Sequence, residues 1–238
     1  MFPTRRIITS GGDKFRDEYS LAFDGSDEVL STGADGTAAD ATYVFWMKSS
    51  TAATNQGVFG HGSNSKGALH LNLGNKPLWQ RGGSNYRYFV ANSEQDDGQW
   101  HHWVIVNDHS DISACLLYID GVSQAEDEAP TDSGSVTAYG NLMIGGDKAS
   151  GGRYAICSIS DFAWYDTLLS SSQIQTLYNG REPYNHREGA ISANLQGWWQ
   201  MGDGTERGQG TTIYDMSTNA NDGTMTNMEA GDFKGDTP

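Results

Sequence analysis

Four groups of side chains in the 238-residue chain have types and spacings that could do chemistry. The first lies in a Gly-rich stretch and comprises Trp79, Asn85, Tyr86, Arg87 and Tyr88. Aromatic rings beside amide and guanidinium donors can stack a sugar and hold its hydroxyls. The same aromatics would equally serve a core or a subunit contact, and the sequence leaves both readings open. The second group, Asp215, Asn219, Asn221 and Asp222, gathers the hard oxygen donors that calcium takes six to eight at a time, and Asp24 with Asp27 forms a smaller set. No EF-hand register is present, and Asn and Asp side chains that close turns account for these residues without metal. Calcium is therefore an optional ligand and no cofactor is required.

The third group is Glu126 and Glu128. Retaining glycoside hydrolysis needs two carboxyl groups roughly 5 Å apart, whereas this acidic run before Pro130 is expected to be a solvated loop. The fourth is His101 and His102. Consecutive strand residues point to opposite faces, so the pair is ill placed to share one ion and is expected to be structural. His61, His70, His109 and His186 show no zinc spacing, and no serine sits in a nucleophile elbow. Cys115 and Cys157 lie outside any Cys-x-x-Cys pair, so two buried thiols are expected, bridged only if their strands are neighbours.

The elements that must position these groups are short. Thirty glycines against five prolines, with 11% aromatics, suit many strands joined by tight turns. Strands are predicted at Tyr19–Phe23, Glu28–Leu30, Ala41–Lys48, Val58–Gly60, Ala68–Leu73, Leu78–Gln80, Tyr86–Val90, Trp100–Val106, Cys115–Ile119, Leu142–Ile144 and Tyr154–Tyr165. Asp24-Gly25 marks a turn, and Asp120-Gly121 is a hairpin signal. In Ala41–Lys48, Tyr43, Phe45 and Met47 share one face and Val44 and Trp46 the other, so both faces should be covered. Trp46, Trp100, Trp103 and Trp164 read as core or sheet residues. One helix is predicted at Ser171–Tyr178, capped by Ser170 or Ser171, with Ile174, Leu177 and Tyr178 on its apolar face and Gly180 past its end. Further strands are expected at Leu195–Met201 and Thr211–Asp215.

Three regions follow: a polar arm over residues 1–18 with Arg5 and Arg6 available for docking, a body over 19–180, and an extension over 181–238. The extension is expected to fold back on the body, with donation to a neighbouring subunit as the alternative. A formal charge of -15 would repel nucleic acid phosphates. Residues 1–15 lack the apolar core of a secretory signal, and no apolar run is long enough to span a bilayer. An extracellular role would therefore require release by another route, such as lysis.

Six segments occur in an order that resembles a known family: SLAFDG (Ser20–Gly25), YVFWMK (Tyr43–Lys48), DGQWHHWVIV (Asp97–Val106), LYIDG (Leu117–Gly121), LMIGGD (Leu142–Asp147) and ISDFAWYDTLLSSSQIQTLYNG (Ile159–Gly180). Together they resemble the laminin-G-like jelly roll of the concanavalin A-like lectin and glucanase superfamily. The resemblance implies an all-β, antiparallel two-sheet jelly-roll sandwich with one short helix and extended terminal arms. It also implies a ligand surface on the concave sheet and its rim, and loops that often hold calcium. The Glu-x-Asp-x-x-Glu or Glu-x-Asp-x-Glu strand that resembles the catalytic signature of the sandwich glucanases has no counterpart here, so no enzymatic activity is expected. Gly197–Asn227 resembles the opening strands of such jelly rolls, displaced to the end. The arm MFPTRRIITSGGDKFRDEYSLAFDG and this extension resemble structural proteins of tailed bacteriophages, marine ones in particular. That likeness implies a virion-surface protein, a capsid decoration or appendage tip, with other virion proteins, its own copies and a cell-surface glycan as partners and with neither nucleic acid nor membrane. The alternative is a free carbohydrate-binding protein, with a glycoside hydrolase third.

Overall fold

The computed structural model describes residues 17–36, 39–51, 55–62, 66–71, 76–90, 96–132, 139–147, 152–202, 208–209 and 211–238. Arg5 and Arg6 lie outside the described residues. In chain order the strands are β1 (Ser20–Asp24), β2 (Val29–Gly36), β3 (Ala41–Lys48), β4 (Gln56–His61), β5 (Lys66–Leu71), β6 (Pro77–Gly82) and β7 (Asn85–Phe89). Next come β8 (Trp100–Asn107), β9 (Leu116–Ile119), β10 (Val122–Ser123), β11 (Glu126–Thr131), β12 (Gly140–Ile144), β13 (Gly146–Asp147), β14 (Arg153–Tyr154) and β15 (Ile156–Tyr165). The helix α1 (Ser171–Tyr178) precedes β16 (Leu195–Trp199), β17 (Gly208–Gln209), β18 (Thr212–Ile213), β19 (Gly223–Thr226) and β20 (Phe233–Lys234).

Two large antiparallel sheets result. The first has the order β10-β9-β8-β3-β15-β1-β20, with β16 also paired to β15. The second runs β11-β7-β6-β5-β4-β12-β2-β19-β18-β17, and β13 with β14 forms a separate two-stranded piece. Between the sheets lies an aromatic-rich core that includes Tyr43, Phe45, Phe59, Trp79, Trp103, Phe162 and Trp199. Phe45 stacks on Phe162 at 5.4 Å, and Phe59 meets Phe162 edge-on at 5.1 Å. Such ring pairs add to area burial when offset or edge-to-face.

The central strands of the first sheet, β8, β3 and β15, are buried on both sides. Tyr43, Phe45 and Met47 enter the central core, while Val44 belongs to a second cluster on the outer side with Val104, Tyr165, Ile174, Leu177, Ile191 and Trp198. Trp46 is also buried there, its ring 5.1 Å from His102 and 6.3 Å from Tyr178 of the helix. The roof over this face is α1 together with the segment leading to β16, as the two apolar faces of β3 required. Ser170 caps α1 with a capping box to Gln173. The helix spans the expected Ser171–Tyr178, with Asn179 in the first left-handed position at φ 48° and Gly180 in the second at 66°.

Asp120 and Gly121 both have positive φ, 50° and 74°, and join β9 to β10 as the paired-residue hairpin turn requires. Extension residues contribute to both sheets: β16 lies on β15, β19 on β2 and β20 on β1. Trp199, Met201, Ile213 and Met225 carry their side chains into the central core. The expected strand Leu195–Met201 ends at Trp199, and Thr211–Asp215 contracts to Thr212–Ile213. The two ends of the described chain also meet, since Thr237 donates its hydroxyl to the Asp17 carbonyl at 3.2 Å. Nearby, Asp236 accepts from Lys48 Nζ at 2.7 Å and from the Trp100 indole at 3.3 Å. Cys115 and Cys157 are separate buried thiols, and burial pushes each up to about 12.

Candidate functional site

Alternation along β5, β6 and β7 sorts the candidate residues onto the two faces of the second sheet. Leu69, Leu71, Trp79 and Phe89 face the central core. The opposite, outward face therefore carries two cross-strand rows: His70, Leu78 and Tyr88, and Ala68, Gln80 and Tyr86. Tyr86, Tyr88 and Gln80 are half-buried, and the two tyrosine rings meet edge-on at 5.6 Å. The Gln80 amide donates to the Gly83 carbonyl at 2.7 Å, which fixes its orientation beside the rings.

This geometry corrects the sugar-binding set read from the sequence. Trp79 is fully buried and donates its indole N–H to Asn107 Oδ1 at 3.0 Å. Asn85 is buried, and Arg87, opposite Trp79 in register, turns the same way. The Arg87 guanidinium donates to the Ser113 and Cys115 carbonyls and to Glu126 at 2.7 Å, and it lies over the Phe89 ring. A period of two shows that Asn85, Arg87 and Phe89 share a face, but only the partner strands show that this face is the inner one. Tyr86 and Tyr88 remain, and Gln80 joins them. Cross-strand register, which the sequence does not display, brings Gln80 in.

A second group, unforeseen from spacing, borders this platform. The β13–β14 piece lies flat on β4, and two glycines permit it. A Cβ on Gly57 would meet the Arg153 carbonyl oxygen at 2.9 Å and the Asp147 amide nitrogen at 3.0 Å, and a Cβ on Gly60 would meet Asp147 Cβ at 3.1 Å. The contact brings Asp147 onto His70, both buried. Arg153 Nη1 donates to His70 Nδ1 at 2.7 Å. Arginine has no acceptor, so Nδ1 must accept and the ring proton sits on Nε2, facing Asp147.

The proposed calcium cluster is a hydrogen-bond hub. Asp215 is fully buried, and its Oδ1 accepts from the Trp198 and Ser217 amides at 2.9 and 2.8 Å. Its Oδ2 accepts from the Ser217 hydroxyl and the Asn221 amide, both at 2.8 Å. Asn219 and Asn221 donate to the Gln196 carbonyl, and Asp222 accepts from the Asp215 amide at 2.9 Å. Both Asp215 oxygens and Asp222 Oδ1 thus face N–H and O–H donors, and the network fastens the extension to β16. Asp24 likewise closes a turn, accepting from the Ser26 amide at 2.8 Å, and both Asp24 and Asp27 are exposed. Among the described residues, no three His, Cys, Asp or Glu side chains are grouped to hold a metal.

The remaining candidates have structural partners. His101 lies between Asp120 at 2.8 Å and Asp97 at 3.2 Å, and the Asp120 hydrogen bond chiefly holds it above the ordinary histidine value. His102, on the other face, is buried against Trp46 and Tyr178, and burial lowers it to about 3. His61 contacts the Tyr43 hydroxyl and the Gly140 carbonyl, both at 2.9 Å, and burial lowers it to about 4. His186 lies between the Tyr165 hydroxyl at 2.6 Å and Asp161 at 3.3 Å. The His109 carbonyl accepts from Arg81 at 2.7 Å. Glu126 and Glu128 stand on strand β11, where a loop was expected, paired with Arg87 at 2.7 Å and Lys76 at 3.5 Å.

Two stacked antiparallel sheets, a helix roofing one of them and an outward tyrosine platform on the other define a lectin-like jelly roll. Residues 23–175 match the family model described as the concanavalin A-like lectin/glucanases superfamily, and the chain belongs to that family. No curated protein matches the chain in sequence. Among solved structures, a protein proposed to bind carbohydrate, from Bacteroides ovatus ATCC 8483, superposes with a TM-score of 0.68 at 15% identity. That match covers 92% of this chain, which spans 60% of the Bacteroides protein's length. The heptameric SAP-like pentraxin from Limulus polyphemus superposes at 0.55 and 18% identity, over 68% of this chain and 82% of its own. At these identities the likeness shows the fold alone.

Proposed function

We propose that this chain is a non-enzymatic recognition module that binds a saccharide on the outward face of its ten-stranded sheet. The observation that carries the reading is the placement of Tyr86 and Tyr88 side by side on that face, half-buried, outside either core. A saccharide ring stacks on such rings, and the fixed Gln80 amide hydrogen-bonds its hydroxyls. The carbohydrate-binding role proposed for the Bacteroides protein supports the reading. The resemblance of the arm and extension to phage structural proteins supports a setting on a virion surface, in contact with neighbouring virion proteins and its own copies.

The test is a glycan array followed by titration of the strongest ligand. Tyr88→Ala should weaken binding about tenfold or more, which corresponds to about 1.4 kcal/mol. Unchanged affinity in both Tyr86→Ala and Tyr88→Ala would end the platform reading. Release of new reducing ends from the bound glycan would contradict the non-enzymatic part. Antibody to the chain should decorate purified particles of its source, and bare particles would remove the virion setting.

A further inference from the structure

We infer that the saccharide bound by this face carries a carboxylate, a hexuronate residue, held by Arg153 at the β4 end of the platform. The inference rests on the tyrosine platform reading and names the class of ligand. Its first support is the way Arg153 is held. Asp147 and His70 are both buried, and the neutral imidazole passes the anchorage from the Asp147 carboxylate to Arg153 Nη1. A long cation that would otherwise sample many rotamers is thus fixed at one end by a buried pair. Gly57 and Gly60 admit the strand that carries it.

The second support is the donor edge that remains. A guanidinium presents five N–H groups in a planar fork, and one of the Nη1 group is taken by His70. Among the described residues no other acceptor takes the Nε and Nη2 edge, and Arg153 is half-buried rather than enclosed. Two parallel N–H groups on that edge match a planar carboxylate in bidentate fashion, a fit that an ammonium or a lone hydroxyl cannot reproduce.

Spacing and polarity complete the argument. His70 and Tyr88 share a cross-strand row with Leu78 between them, which sets them roughly 10 Å apart at the usual strand separation. That interval leaves room for separate sugar rings of one oligosaccharide over the two positions. At the far end Glu128 sits opposite Tyr88 in register, and with Asp127 it outnumbers the one cation there, Lys76, so an acidic group would meet a net negative charge. The acidic ring therefore belongs over Arg153, and the ring stacked on the tyrosines is neutral or turns its carboxylate outward.

The experiment uses the full chain, an array of hexuronate oligosaccharides paired with their carboxyl-reduced counterparts, and titration of the best pair in low and moderate salt. The acidic member should bind at least tenfold more tightly. Arg153→Met should bring the two members to within about twofold of each other, while Tyr88→Ala weakens both in similar proportion. Arg153→Lys, which keeps the charge and loses the fork, should retain only a minor part of the preference, and circular dichroism checks that each variant is folded. Equal binding of both members, or a preference that survives Arg153→Met or is fully kept by Arg153→Lys, overturns the inference and leaves the platform standing. Binding of both members that is indifferent to Tyr88→Ala and Tyr86→Ala, or no binding at all, removes the platform and the inference together.

Discussion

His61 and His102 are neutral passengers in the folded chain, and they make its stability depend on acid. Burial lowers them to about 4 and about 3, from an ordinary 6.5. Between those values the unfolded chain takes up protons that the folded chain refuses, so stability falls as the pH drops below about 6.5. At about 1.4 kcal/mol per refused proton and pH unit, the two together remove several kcal/mol by pH 4. His101 acts with the opposite sign. Its carboxylate partners raise it, so its contribution is complete below 6.5 and is lost as the pH climbs through its raised value. The expected thermal unfolding profile has a steep acid limb, and His102→Phe, which cannot take a proton, should flatten it. An acid limb that is unchanged in this variant would contradict the assignment.

Elements were legible in the sequence where packing imposed a pattern and obscure where it did not. β3 reads directly, because a strand apolar on both faces must be covered twice, and α1 with its capping serine announces the cover. β11 was hidden. Its side chains at Glu126–Glu128 are exposed and Pro130 interrupts it, so no alternation survives. Backbone pairing to β7 alone makes it a strand, and proline is tolerated because β11 is the sheet edge. The tyrosine pair was legible as a candidate, whereas the Asp147–His70–Arg153 relay joins residues that are distant in sequence through register and close approach. Gly57 is the sequence trace of that approach. Gly57→Ala would place a methyl against the Arg153 carbonyl, so it should destabilise the fold by about 1–3 kcal/mol and weaken saccharide binding by loosening Arg153. A denaturation midpoint equal to that of the parent would show that β13–β14 yields without cost.

At the scale of the whole molecule, the formal charge of -15 and the ten-stranded sheet with a tyrosine pair on its outward face are what the proposed recognition module builds on. The closing of the sheets by distant parts of the chain was the least visible feature, since β19 and β20 are too short to carry a periodic signal. Yet β20 pairs with β1, and Thr237 bonds to Asp17. This neighbourhood makes the order of the strands along the chain separable from their order in space. A circular permutant that begins at Asp27, runs through Pro238, crosses a few Gly and Ser residues to Asp17 and ends at Ser26 would make β20 and β1 consecutive. It opens the exposed turn at Ser26 and leaves out residues 1–16. Such a chain should give the parent's circular dichroism spectrum with a melting point lower by only a few degrees, and an unfolded or aggregated product would show that β1 must be laid down first. New ends at that turn would also move any fused partner to a different side of the sandwich.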